Sequence, residues 1–173
     1  MTDYSMETFW HELKSGKFAS MVKESSKGQS LSCSMDVYNI IKPMTQGHED
    51  VEILYGIFLD RKNQILSIDE LFKGSLTGTA VYPREILKRV LQLKAAAIVL
   101  AHNHPSGDTA PSFEDKEITV QIALAMHCIG VSFMDHIIVG SGYHSMADDG
   151  WIQTIKTGTR NVLTSIRDYS SAD

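Results

Sequence analysis

Two histidines two positions apart, His102 and His104, are the residues whose types and spacing most directly suggest chemistry. They follow an apolar run, and in an extended chain residues at this spacing point to the same side. Pro105 favours an extended backbone at His104, and the sequence His-Pro-Ser-Gly that starts there fits a turn. We therefore expect two imidazoles side by side at the end of a strand, followed by a reversal of the chain.

The residues after that turn can bring a carboxylate to the two imidazoles. Ser112 stands at the predicted start of a helix, and Asp115 lies in its first turn. Two histidines and one aspartate form a three-ligand set, and catalytic zinc sites typically combine three protein ligands with a fourth position for water. A zinc ion there would lower the pKa of the water to about 7 and would polarise a substrate carbonyl. The spacing thus predicts one Zn2+ per chain on His102, His104 and Asp115.

Hydrolysis at such a centre also requires a general base, which takes a proton and later delivers it to the leaving amine. The candidate is Glu52, at the start of the first predicted strand, because a carboxylate beside a bound cation can be tuned for this work. Glu85 is a rival carboxylate. Ser112 can donate a hydrogen bond to the oxyanion that forms during hydrolysis. Two structural alternatives stay open: Glu52 as a solvated strand-end residue, and Ser112 with Asp115 as a helix cap, which is compatible with metal binding.

Other polar residues near the histidines lack a motif of their own. Asn103 and Ser106 can line the site by position alone. His136, beside Asp135 in an apolar segment, is expected to pack in the sheet or make a structural hydrogen bond rather than bind the metal.

The elements that must position these side chains follow the order β-β-α-β-α-β after a helical leader. Alternation and turn residues predict strands at residues 53–59, 65–72, 96–101 and 131–139, of which the first two form a hairpin. Helical spacing predicts helices at residues 9–23, 35–43, 84–93 and 113–128, with Ser34 capping the second and Pro83 opening the third. Residues 74–83 and 102–111 are predicted loops. This order predicts an α/β sandwich with a mixed sheet and helices packed on it.

Length and composition set the broad class. The chain has 173 residues with 43% hydrophobic, which suits one domain with a real core. Its start carries acids and no apolar run, and its longest apolar stretch, residues 95–101, is too short to span a membrane. Cys33 and Cys128 are too few for a disulfide scaffold or a cysteine-only zinc site, and we expect buried or incidental thiols. These features predict a soluble cytoplasmic protein.

Charge argues against a nucleic-acid coat protein, because the net charge is −5. A local basic face is present on the predicted helix before the histidines, and we interpret it as a solvated face rather than a nucleic-acid contact. Its members are Arg84, Lys88, Arg89 and Lys94.

The segment HNHPSGDTAPSFED, residues 102–115, resembles the JAMM motif of JAB/MPN-domain metalloproteases. That motif has an upstream Glu, then His-x-His, seven residues, Ser, two residues and Asp. Other segments are similar, more narrowly, to the bacterial RadC family, and the resemblance covers residues 35–150. These segments are VEILYGIFLDRKNQ, ELFKGSLTGTAVYPREILKRVL, AAAIVLAHNHPSGD and MDHIIVG.

The resemblance implies a JAB/MPN fold, a cytidine-deaminase-like arrangement of three layers with a zinc site at the end of a central strand. It implies zinc on His102, His104 and Asp115, Glu52 as acid and base, Ser112 in the catalytic set, and hydrolysis of a peptide or isopeptide bond. RadC proteins commonly begin with a helix-hairpin-helix region associated with DNA binding. Residues 1–34 lack the paired Gly-rich hairpins of such a region. We interpret residues 1–34 as a polar helical leader and linker, 35–150 as the RadC-like domain, and 151–173 as a polar tail with a helix predicted at residues 151–169.

Three other functions remain as alternatives. The first is a non-catalytic MPN-type interaction module in DNA or mobile-element metabolism. The second is a metal-dependent nuclease, since two histidines and an aspartate can hold a metal that activates water against a phosphodiester. The third is a non-haem iron oxygenase, which also uses two histidines and a carboxylate. The sequence names no particular protein substrate and no oligomeric state.

Overall fold

A computed structural model describes residues 6–48, 50–74 and 81–170, with the backbone alone for Phe9 and residues 167–170. The helices are α1 Met6–Lys14, α2 Lys17–Ser26, α3 Ser34–Thr45, α4 Pro83–Leu93, α5 Phe113–Cys128 and α6 Trp151–Ser170. The strands are β1 Glu52–Leu59, β2 Ile65–Gly74, β3 Ala97–Asn103, β4 Ser132–Val139 and β5 Tyr143–Ser145. Residues 75–80 of the predicted loop after β2 lie outside the described residues.

The strands form one mixed sheet in the order β2-β1-β3-β4-β5. β1 pairs antiparallel with β2 and β3, β3 pairs parallel with β4, and β4 pairs antiparallel with β5. Every residue of β3 is buried, as expected of a central strand that is covered on both faces. The sheet confirms the predicted α/β class and its mixed strand directions.

Helices cover both faces of the sheet, because side chains alternate along each strand. On one face Ile53 and Ile57 of β1 pack in a core with residues of α3 such as Ile41. On the other face Leu54 packs with residues of α4 and α5 such as Ile122. Burying one such aliphatic side chain contributes about 1.5–3 kcal/mol relative to leaving it exposed. The result is the predicted three-layer arrangement of helix, sheet and helix.

Local signals placed several helix ends well and missed others. α5 covers the predicted residues, and Pro83 occupies the predicted first turn of α4. The prediction of a single helix at residues 9–23 is wrong, because Gly16, whose φ is +76°, interrupts the helical backbone between α1 and α2. Ser34 is also not the cap of α3. The cap is Cys33, whose backbone N–H donates to the Asp36 carboxylate at 3.1 Å.

The remaining differences concern the ends of the sheet and the burial of the last helix, α6, which covers the predicted residues 151–169. β3 extends to Asn103, so His102 lies in the strand and not in the predicted loop. β5 was not predicted, since three residues carry too short a pattern. Ile152 in the first turn of α6 is 2% exposed and belongs to the α4/α5 side of the core. Cys33 and Cys128 are both exposed, so neither is a buried thiol.

Candidate metal centre

Two neighbouring elements bring the three predicted ligands together at one end of the central strand. His102 lies near the end of β3, His104 directly follows that strand, and Asp115 lies in the first turn of α5. One nitrogen from each imidazole and one carboxylate oxygen lie within 4.8 Å of one another. His102 and Asp115 are completely buried. This group could hold a metal ion.

The turn after His104 orients that imidazole. The backbone N–H of Gly107 donates to the His104 carbonyl at 3.0 Å, which closes the turn predicted from His-Pro-Ser-Gly. The ring Nδ1 of His104 lies 2.8 Å from the Asp108 carbonyl oxygen. A carbonyl can only accept, so Nδ1 of His104 carries the proton and its Nε2 faces the other ligands.

The same turn is held against the connection between β4 and β5. The backbone N–H of Ser141 donates to the Gly107 carbonyl at 2.8 Å. A Cβ at Gly140 would lie 2.3 Å from that carbonyl oxygen, so the close approach requires glycine there. Gly107 itself has a φ of +80°, which glycine adopts without strain.

Asp115 is both a helix-capping residue and a candidate ligand. Ser112 is the N-cap of α5, and its Oγ accepts a hydrogen bond from the Asp115 N–H at 3.0 Å. The backbone N–H and the hydroxyl of Ser112 both donate to Oδ2 of Asp115, at 2.8 and 2.7 Å. Ser112 and Asp115 therefore form the helix cap, and Asp115 still occupies the position of a candidate ligand. The Ser112 proton is therefore directed at Asp115, and the oxyanion role of Ser112 stays a prediction.

The three ligand atoms lie within about hydrogen-bonding distance of one another. Nε2 of His102 lies 2.9 Å from Nε2 of His104 and 3.1 Å from Oδ1 of Asp115. Oδ1 is buried and makes no hydrogen bond of acceptable geometry within the described part of the chain. A buried carboxylate oxygen without a donor is unfavourable unless a cation lies beside it. Imidazole nitrogen and carboxylate oxygen are also ligands that zinc accepts, so these residues fit a zinc ion.

Electrostatics in the centre favour an ionised carboxylate. Burial alone would raise the pKa of Asp115, but its contacts with His102, His104 and Ser112 outweigh burial and hold that pKa far below its usual value. The hydrogen-bonding contact with Asp115 raises the pKa of His104, with smaller contributions from the Asp108 carbonyl and from Glu52. Asp115 is therefore a full negative charge that a proton or a metal ion must balance.

Glu52 lies beside His104, on the neighbouring strand β1. β1 and β3 pair with Leu54 opposite His102, and two further steps of that register place Glu52 opposite His104 on the same face. Glu52 is partly buried, and its charge raises the pKa of His104, so the two side chains interact electrostatically. The rival Glu85 is exposed and pairs with Arg84 at 3.4 Å.

Asn103 fastens the start of β1 to the metal centre, a role that its sequence position alone did not reveal. Its Oδ1 accepts from the Ile53 N–H and its Nδ2 donates to the Val51 carbonyl, both at 2.9 Å. These two backbone groups belong to the residues on either side of Glu52. Asn103 thus fixes the backbone of Glu52 relative to His102 and His104.

Two further buried residues, His136 and Thr119, lie on the side of His102 that faces away from the other ligands. Nε2 of His136 lies 2.9 Å from Nδ1 of His102, and Oγ1 of Thr119 lies 2.6 Å from Nδ1 of His136. Burial lowers the pKa of His136 well below its usual value, which keeps this imidazole neutral. The structural hydrogen bond expected of His136 is confirmed. Thr119 carried no motif, although it lies one helical turn after Asp115.

Comparison with known proteins agrees with this fold. The profile of the RadC-like JAB domain matches residues 31–151. A UPF0758 protein of Chromobacterium violaceum is 39% identical over 126 residues, which are 72% of this chain and 56% of that protein. A UPF0758 protein of Vibrio cholerae is 36% identical over 126 residues, 73% of this chain and 79% of that protein.

A UPF0758 protein of Pseudomonas fluorescens is 47% identical over 106 residues, 61% of this chain and 47% of that protein. The chain therefore spans only about half the length of some of the curated relatives it matches. Its α/β sheet and its buried His-His-Asp group define a JAB/MPN-type domain with a candidate metal centre. Within that class, the chain belongs to the family of RadC-like JAB domains.

None of the helices in the described part of the chain is both long and apolar enough to cross a membrane.

Proposed function

We propose that this chain is a zinc-dependent hydrolase that cleaves a peptide or isopeptide bond. The observation that carries the proposal is the convergence of three ligand atoms, one each from His102, His104 and Asp115. The carboxylate of Asp115 also has a buried oxygen, Oδ1, without a hydrogen-bond donor. A zinc ion held by these residues supplies a Lewis acid that polarises a carbonyl and lowers the pKa of water. Membership of a family that includes metalloproteases supports the same reaction class.

Glu52 is the residue proposed to move protons. Its position opposite His104 suits a carboxylate that takes a proton from the attacking water. The water oxygen forms a new bond to the carbonyl carbon, the carbon–nitrogen bond breaks, and Glu52 returns the proton to the leaving nitrogen. Asn103 keeps Glu52 in this position by holding Val51 and Ile53.

Ser112 has two proposed duties. Its hydrogen bonds hold Oδ2 of Asp115 and thereby orient the carboxylate. The hydroxyl can also turn to donate to the developing oxyanion, for which a single donor is worth about 2.7–4 kcal/mol of barrier in other hydrolases.

A second candidate function is a non-catalytic interaction module. The last turns of α6 expose three apolar side chains, Val162, Leu163 and Ile166, at 45–61% of their full area. Exposed apolar side chains that lie along one helix mark interaction surfaces in many proteins. The full ligand set favours the hydrolase, because an interaction module has no use for a buried carboxylate oxygen without a donor.

The test compares Glu52→Gln, Asp115→Asn and the matched control Glu85→Gln. Each variant is loaded with zinc and offered peptides, isopeptide-linked ubiquitin-like conjugates, and single- and double-stranded DNA. We expect Glu52→Gln to keep about one zinc per chain and to lose roughly 10²–10⁴-fold in turnover, whereas Glu85→Gln stays active. Asp115→Asn loses both metal and activity.

Equal cleavage by Glu52→Gln and the unaltered chain would contradict the role of Glu52. Cleavage of DNA alone would favour the nuclease. The interaction module would be favoured if a zinc-loaded chain cleaved none of these substrates and bound a partner through α6.

A further inference from the structure

The inference concerns two residues behind the metal centre and rests on the proposed metal centre but not on catalysis. We propose that Thr119 and His136 are positioning residues that hold the ring proton of His102 on Nδ1, so that its Nε2 presents a lone pair to the metal. Three buried contacts in series carry the argument: Thr119 to Asp115, Thr119 to His136, and His136 to His102.

The contact between Thr119 and Asp115, which is the farthest from His102, determines which atom donates in each of the other contacts. Oγ1 of Thr119 lies 2.6 Å from the Asp115 backbone carbonyl oxygen, and only the hydroxyl has a proton to place between these two oxygens. The sulfur of Met146 lies farther away, at 3.6 Å, and is a weak acceptor. The Thr119 hydroxyl therefore donates to the Asp115 carbonyl and is left with lone pairs.

The next contact then has one solution. Nδ1 of His136 lies 2.6 Å from Oγ1 of Thr119, whose proton is already used, so Nδ1 must donate. His136 is completely buried, and burial disfavours a charged imidazole. Its Nε2 therefore carries a lone pair, and this atom lies 2.9 Å from Nδ1 of His102.

The last contact fixes the tautomer of the ligand. Nδ1 of His102 must donate to Nε2 of His136, which leaves Nε2 of His102 without a proton. That Nε2 is the atom that faces His104 and Asp115. The opposite order of protons would place a hydrogen on Nε2 of His102 and block it as a ligand.

The series also joins two of the ligands through one helix. Thr119 lies one turn after Asp115 in α5, so the helix that delivers the carboxylate also delivers the hydroxyl that fixes the imidazole. Residues that orient a metal-bound histidine typically affect metal affinity about 10–100-fold. We therefore expect substitutions of Thr119 or His136, which do not contact the metal, to change zinc affinity by the same factor of about 10–100.

The experiment uses the full chain and zinc alone as the probe. Thr119→Val preserves the shape of the side chain but removes the hydroxyl, and we expect it to weaken zinc binding about 10–100-fold. Thr119→Ser restores the hydroxyl and should restore most of the affinity. Thr159→Val is the matched control, because Thr159 makes the same hydroxyl bond to a helical carbonyl, that of Ile155 in α6.

A second measurement detects the ring protons directly. Nitrogen-15 NMR of the unaltered chain with labelled histidine should show His102 and His136 each protonated on Nδ1, and His136 should lose that single form in Thr119→Val. A proton on Nε2 of His102 in the zinc-loaded chain would overturn the proposal, as would unchanged zinc affinity in a folded Thr119→Val. A chain that binds zinc as described but cleaves nothing would contradict the proposed hydrolase alone.

Discussion

The Nε2 atoms of His102 and His104 lie 2.9 Å apart, and the Nδ1 atom of each ring lies within hydrogen-bonding distance of a polar atom on its opposite side. His102 faces His136 through Nδ1, and His104 faces the Asp108 carbonyl through Nδ1. With both rings protonated on Nδ1, as proposed for His102 above, two lone pairs meet beside the largely buried Asp115 carboxylate. Such a group could hold a cation, which would offset the cost of placing three polar side chains at the end of the central strand.

Removal of Asp115 should abolish metal-dependent stability. A ligand that binds only the folded state stabilises it, by about 2.7 kcal/mol when its concentration is a hundred times Kd. We expect zinc to raise the melting temperature of the unaltered chain and to leave Asp115→Asn unchanged. Thermal unfolding with zinc and with a chelator measures both. Glu114→Gln, an exposed neighbour in the same helical turn, should respond to zinc like the unaltered chain. A zinc response that survives Asp115→Asn would contradict the ligand set.

Asn103→Ala should destabilise the start of β1. The substitution leaves the Ile53 N–H and the Val51 carbonyl without their partner, and a buried unpaired polar group costs about 1–3 kcal/mol. Asn103→Asp is the informative comparison, because it keeps the acceptor for Ile53 and sets a carboxylate oxygen against the Val51 carbonyl. Urea unfolding should show a loss in both variants. If neither variant lost stability, the clamp around Glu52 would be energetically irrelevant.

Gly140→Ala should displace the turn that carries His104. The new Cβ would lie 2.3 Å from the Gly107 carbonyl oxygen, and relief of such overlap typically costs about 1–3 kcal/mol. We expect a lower melting temperature and weaker zinc binding, since the turn and the imidazole move together. Gly142→Ala is the matched control two residues away, where a Cβ meets nothing within 4 Å. Equal effects of the two substitutions would show that the close approach is not the cause.

The ion pair between Asp69 of β2 and Arg89 of α4 should make the free energy of unfolding depend on pH in the acidic range. Burial would raise the pKa of Asp69, but hydrogen bonds from Arg89 and Ser67 outweigh burial and lower it. A lowered carboxyl pKa contributes stability above the unfolded pKa of about 3.9, and that contribution is lost as pH falls through the folded value. Since Asp69 is partly exposed, Asp69→Asn should cost only about 1 kcal/mol at neutral pH.

Urea unfolding at pH 7 and near pH 3 checks this expectation. The difference in stability between Asp69→Asn and the unaltered chain should shrink at the lower pH, because the carboxyl is increasingly neutral in both states. A difference that stays constant would assign the effect to packing of the side chain. The pairing also shows that Arg89, one member of the basic face on α4, contributes to the fold.

The sequence by itself determined the class of the fold and the ligands most worth testing. Local patterns predicted α5 to its ends, since Ser112 supplies a cap and the apolar residues recur at helical spacing. The pair His102 and His104, together with Asp115, could be selected because all three lie within one strand, one turn and one helical turn. Such short-range geometry follows from backbone preferences.

Only the tertiary structure decided how this group is supported. The contacts of Asn103 with Val51 and Ile53 join residues 52 and 50 positions apart, and that of His102 with His136 spans 34 positions. These distances depend on strand order and register, which no local pattern encodes because the same alternation fits several pairings. The candidate metal ligands could therefore be found in the sequence, whereas the residues that contact them from other strands became visible only when the sheet was assembled.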